Sequence, residues 1–131
     1  MTRFAKKARH QRRVFCPLKK KWFDLISQGN KIWEFRSATS QVGRQYLARA
    51  GTRFHIEFRR GYSGVSVMKT AVEVRTFRRP EKIPEDILRQ GCVRPKELRG
   101  LGMTGKVVGV RFEDMVRKVD TNNLYQAQNF N

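Results

Sequence analysis

Three charged side chains within six residues carry most of the chemistry this sequence offers. Lys31, Glu34 and Arg36 stand in the run KIWEFR, between the strand formers Ile32, Trp33 and Phe35. A carboxylate between two cations serves one of two ends. It holds an ammonium and a guanidinium in place in a polar cleft for an anionic or base-like ligand, or it makes surface ion pairs worth little. Catalysis would need a group with a shifted pKa. Lys31, beside Arg36 and out of water, would give up its proton more readily and serve as a base. Glu34 would oppose that shift by favouring the cation. Spacing alone leaves these alternatives open. Side chains alternate along a strand, so Ile32, Glu34 and Arg36 would share one face and Lys31, Trp33 and Phe35 the other. Both faces would then be mixed, unlike a strand with one clean core side.

The elements that must position these residues follow from periodicity. Residues 18–28 read as a short helix, with Trp22, Leu25 and Ile26 at helical spacing and Phe23 widening the apolar face. Gly29 is the expected left-handed cap. Residues 14–18 read as a first strand, with Pro17 at its end or edge. Residues 37–42 read as a polar loop, and 43–50 as a short helical or turn segment. From Gly51, Phe54, Ile56 and Phe58 alternate with Arg53, His55, Glu57 and Arg59, giving one buried and one wet face. His55 reads as a surface strand histidine. A GYSG turn at 61–64 reverses the chain, and Tyr62 on it either stacks a base or packs over the sheet edge. Residues 65–77 hold a further strand or two, with Val72 and Val74 inward. Residues 84–90 read as a short helix with proline at its start and Gly91 at its stop. Residues 92–104 read as a long connection over the cleft. Val108, Val110 and Phe112 alternate in a last strand. The pattern is α+β: a small curled sheet of five or six strands with two or three short helices.

Bulk properties narrow the function. The 131 residues suit one domain. No apolar run approaches the roughly 18 residues of a membrane helix, and no secretory signal is expected, so the chain reads as cytoplasmic. Cys16 and Cys92 lack metal-ligand spacing and read as buried, reduced thiols. Lys and Arg number 29 against 11 Asp and Glu, a net charge of +18. Such a balance points to polyanions. Arg3, Lys6, Lys7, Arg9, Arg12, Arg13, Lys19, Lys20 and Lys21 all precede the first acidic residue, Asp24. They read as a phosphate-binding arm or a solubilising tail. The expected division is a flexible basic arm at 1–13, a domain at 14–118 and a polar tail at 119–131. Walker, dinucleotide, zinc and nucleophile-elbow motifs are lacking, and no cofactor or metal is expected.

Residues 18–36 resemble the signature of the ASCH domain family of the PUA-like superfamily: a helix, then G-x-K-x-x-E-x-R opening a strand, met here by Gly29, Lys31, Glu34 and Arg36. Residues 51–64 and 105–113 resemble the family's strand with a glycine-tyrosine turn and its closing strand. These stretches cover roughly a third of the chain. The resemblance implies a PUA-like β-barrel and a cleft for RNA or a nucleotide. Some members cleave RNA, and a short bacterial branch deacylates acetylated cytidine. There a threonine occupies the place of Glu34 and assists the lysine, so that activity is not carried over. Lys31, Glu34 and Arg36 carry over as cleft residues, with Tyr62 beside them.

The expectation is thus a nucleic-acid-binding module, RNA in preference to DNA, without a membrane role. One alternative is an RNA- or nucleoside-directed hydrolase using Lys31 and Glu34. Another is a basic assembly factor with a vestigial cleft.

Overall fold

The computed structural model describes residues 12–115. Five strands form one sheet in the order β1-β3-β4-β5-β2. β1 (Val14–Leu18) runs parallel to β3 (Phe54–Arg60), and the remaining pairs are antiparallel. β4 (Ser66–Phe77) is the long strand. A register shift between Ala71 and Glu73 bends it, which lets the sheet curl. β5 (Val107–Asp114) then lies between β4 and β2 (Trp33–Ser37).

The two edge strands meet through a side chain. Arg36 on β2 donates from Nη2 to the Pro17 carbonyl on β1 at 2.7 Å. A guanidinium therefore spans the gap that a backbone ladder would fill in a closed barrel. Pro17 has no N–H to offer a ladder, so an edge position suits it.

Among the described residues four α-helices accompany the sheet, where the sequence pattern suggested two or three. α1 (Lys20–Ser27) joins β1 to β2, and Gly29 just beyond it has φ +82°, the left-handed turn expected there. α2 (Gln41–Ala48) starts inside the stretch read as loop. Ser40 explains this: its hydroxyl donates to the Ser37 carbonyl at 2.7 Å and accepts from the Gly43 N–H at 3.0 Å. A single 3₁₀ turn (Pro80–Lys82), α3 (Glu85–Gln90) and α4 (Pro95–Gly100) lie between β4 and β5. α4 is the helix that a glycine-rich composition concealed. Pro95 opens it, and the Glu97 carboxylate accepts the Arg94 N–H at 3.0 Å.

Strand alternation places the core largely as read. Phe54, Ile56 and Phe58 are buried, as are Val108, Val110 and Phe112. On β4 Ala71 and Phe77 are buried; Val74, opposite the inward Val110, is half-buried and packs against the core as read, while Val72 falls at the register shift and is half-buried. Phe35 sits at the centre, stacked beside Trp33 and edge-on to Phe77. Two glycines make room for its ring. A Cβ at Gly91 would lie 2.6 Å from Phe35 Cε2, and one at Gly109 would lie 3.0 Å from Cε1.

Gly91→Ala is therefore expected to destabilise the fold by ~1–3 kcal/mol in urea unfolding, the usual cost of overpacking a core. Gly109→Ala should cost less, since its contact is looser. Equal midpoints for Gly91→Ala and the parent would show that Phe35 has room to yield.

Candidate functional site

β2 and the two residues that lead into it bring the three charged residues together at one end of the curled sheet. Lys31 is 2% exposed and Glu34 7%. The surface ion-pair alternative is thus excluded. Neither face of β2 is a clean wet one: Trp33 and Phe35 on one side and Glu34 on the other are all buried. One side of β2 looks into the sheet. The other is covered by α3, whose Gln90 accepts the Trp33 Nε1–H at 3.0 Å and, through its carbonyl, the Ile32 N–H at 2.9 Å.

Glu34 lies between its two cations. Oε1 is 3.4 Å from Lys31 Nζ, and Oε2 is 3.4 Å from Arg36 Nε. Lys31 also donates to the Gly91 carbonyl at 2.5 Å and lies over the rings of Trp22 (5.1 Å) and Phe35 (5.8 Å). Arg36 reaches past Glu34 to the Pro17 carbonyl and to Cys16 Sγ at 3.1 Å. Behind it, the buried Tyr46 hydroxyl faces the Cys16 sulfur and makes no conventional hydrogen bond.

These contacts set the protonation states. Burial pushes the Cys16 thiol up to about 11, with Arg36 opposing, so it is neutral at physiological pH. Burial likewise raises Tyr46 well above the ordinary phenol range. Burial disfavours the Arg36 cation, but its anionic partner Glu34 opposes this, and the guanidinium stays charged.

The charged wall faces a cavity of about 280 Å³. This is close to the lower bound for small-molecule sites, roughly 300 Å³. Leu18 and Lys19 border it on one side. Val93, Leu98, Leu101 and Met103 cover it from the connection that carries α4, as expected of a segment over the cleft. One wall thus offers a carboxylate and a guanidinium, and the opposite wall is apolar.

Other sequence expectations fall elsewhere. Tyr62 is 89% exposed and does not line the cavity. The β3–β4 turn carries it outward, anchored by the Gly61 N–H on the Leu18 carbonyl at 2.7 Å. His55 is exposed on β3, and Cys92 is half-buried rather than buried. Arg3, Lys6, Lys7 and Arg9 lie outside the described residues, as does the tail at 119–131. Arg13 pairs with Glu57 at 2.6 Å, Lys20 with Asp24 at 2.6 Å and Lys21 with Glu97 at 3.2 Å, so these three are held against the domain. The sequence reading missed Trp22 and Gly91 as neighbours of Lys31. Gly91 was visible only as a helix stop, and nothing in the sequence marks its carbonyl.

No protein-family model and no curated protein matches the sequence. Among solved structures, a serine-to-alanine mutant of ZmASCH from Zymomonas mobilis is similar, with a TM-score of 0.57 at 14% identity. The match covers 90% of this chain and 97% of that one. This chain therefore shares the fold of that structure, a small α+β half-barrel.

Two measurements check the site's electrostatics. A thiol reagent at pH 8 should label one cysteine per native chain, Cys92, and both after denaturation; equal native rates would mean that Cys16 is open to solvent. Stability should also fall with alkali. The folded thiol ionises near pH 11 but the unfolded one near 9.0, so its contribution is complete below about 9 and lost as pH rises through about 11. At 1.36 kcal/mol per unit this is on the order of 2–3 kcal/mol. It should appear in urea unfolding of the parent and be missing in Cys16→Ala.

Proposed function

We propose that this protein is a nucleic-acid-binding module, RNA in preference to DNA, whose cleft takes a base or a nucleotide end. The observation that carries this reading is the buried Lys31–Glu34–Arg36 wall facing a small, half-apolar cavity. A base fits such a space by its chemistry. Its flat ring lies against Leu98, Leu101 and Met103, while its edge meets a carboxylate that accepts N–H groups and a guanidinium that donates to carbonyl oxygens. The net charge of +18 supplies attraction to the phosphate backbone. Phosphate contacts position the strand and the cleft selects. Arg3, Lys6, Lys7, Arg9 and Arg12 belong to the first of these tasks. Two free cysteines suit a cytoplasmic setting.

The hydrolase alternative fits the geometry less well. The Lys31 amine is engaged by the Gly91 carbonyl, by Glu34 and by two ring faces, all groups that attract an ammonium. A base would need a free electron pair turned into the cavity.

Leu101 lies at the cavity mouth, exposed, and takes no part in the charged wall. Leu101→Trp should obstruct the cavity without disturbing that wall. In fluorescence anisotropy with a short single-stranded RNA, it should weaken binding by at least about tenfold, ~1.4 kcal/mol. The log–log salt slope, about −0.7 per phosphate contacted on a single strand, should not change. The RNA should stay intact on a gel. Parent-like affinity in Leu101→Trp would leave a polycation with a vestigial cleft. RNA fragments that disappear with Lys31→Ala would favour the hydrolase.

A further inference from the structure

A second cluster of charge lies on the outer face of the sheet, away from the cleft. Register places Phe15 on β1 opposite Glu57 on β3, and Glu57 opposite Met68 on β4. Pro17, Arg59 and Ser66 form the next row. Glu57 is only 6% exposed, although it lies on the face that alternation marks as wet. Two guanidiniums cover it: Arg13 donates from Nε to Oε1 at 2.6 Å, and Arg59 donates from Nη2 to Oε2. The Arg59 guanidinium lies 4.8 Å over the ring of Phe15, which is itself 37% exposed. Arg12, Arg13, Phe15, Glu57 and Arg59 together line a shallow hollow.

Each feature has a simple account alone. Together they form an arrangement with a purpose. An aromatic ring faces solvent on a sheet where a polar residue would serve. The cations around it are fixed by a carboxylate, so they lose little freedom on binding. Rings and guanidinium planes are the surfaces on which unstacked bases settle, because every base has a π face. Arg12 and Arg13 then stand where flanking phosphates would lie.

We propose that this outer face of β1 and β3, centred on Phe15 and Arg59, is a stacking platform for single-stranded nucleic acid. It rests on the nucleic-acid reading of the protein, not on occupation of the cleft. β1 links the two places: Pro17, two residues from Phe15 on the same face and about 7 Å along at strand rise, also lines the cleft. One strand of nucleic acid can therefore touch both.

The test uses the full chain and a fluorescein-labelled 12-nucleotide single strand of mixed sequence, as RNA, as DNA and as an abasic strand. Phe15→Ala should weaken binding to the base-containing strands by roughly 5- to 100-fold, the range that base–aromatic stacking supplies. The salt slope should stay unchanged, since no charge is removed. Phe15→Trp should bind like the parent. Phe15→Leu, which keeps apolar packing but has no π face, should behave like Phe15→Ala and controls for folding. On the abasic strand all four proteins should bind alike. A loss confined to RNA would add a 2′-hydroxyl contact to the platform, and an equal loss on DNA would place the recognition in the bases. Parent-like affinity in Phe15→Ala and Phe15→Leu, or an equal loss on the abasic strand, overturns the platform. Leu101→Trp separates the two readings: a harmless Leu101→Trp beside a weakened Phe15→Ala removes the cleft and keeps the platform, and the reverse removes the platform alone.

Discussion

One buried carboxylate fixes the arrangement of three separate parts of the chain. Glu34 holds Lys31 and Arg36, each at 3.4 Å. Lys31 in turn holds the Gly91 carbonyl after α3, and Arg36 holds the Pro17 carbonyl on β1. Taking such ions out of water costs several kcal/mol each, and the cost is met only where the remaining donors find acceptors. Here two backbone carbonyls supply them. With two cations against one carboxylate, the cluster keeps a surplus positive charge. It is therefore stable as a wall and still attractive to an electron-rich ligand edge.

The same cluster solves a problem of the sheet. An open five-stranded sheet has two edges, and exposed edges invite pairing with other chains. This sheet curls until its edges meet, yet Pro17 cannot donate to a ladder. A lysine at position 36 would offer one point charge. The arginine offers a planar fork, with Nε towards Glu34 and Nη2 towards Pro17 and Cys16. Closure and site are thus the work of one side chain. The neutral Cys16 thiol and the buried Tyr46 hydroxyl behind it leave Glu34 as the guanidinium's anionic partner among the described residues.

How far the sequence could be read depended on the range of the forces involved. Period-2 patterns on β3 and β5 report local burial, and they placed Phe54, Ile56, Phe58, Val108, Val110 and Phe112 inward as found. The grouping of Lys31, Glu34 and Arg36 was legible because a short strand cannot separate them. β2 defeated the alternation rule because α3 covers its second side, a contact between residues some 57 positions apart such as Trp33 and Gln90. α4 was hidden for a different reason. Its start depends on one side chain, Glu97, capping a backbone N–H three residues earlier, within a stretch whose glycines suggest turns. Tyr62 was drawn towards the cleft by the type of its ring, but the anchor that turns it outward is a backbone bond to Leu18, which no side-chain pattern reports.

Acidic residues are scarce here, 11 against 29 cations, so where they are buried is informative. Among the described residues the buried carboxylates are Glu34 and Glu57. Each is held by two cationic side chains, one pair at the cleft and one on the outer sheet face. Neutralising surface charge does not require burying a carboxylate, and an exposed pair such as Lys20 with Asp24 already does it. A buried carboxylate instead fixes the direction in which a guanidinium points. Loose cations raise affinity for any polyanion, and their effect fades with salt. Fixed ones favour one geometry of approach, because their ordering cost is met before the ligand arrives. The two glutamates thus divide the positive charge of this protein into a loose part and two parts whose direction is set by the fold.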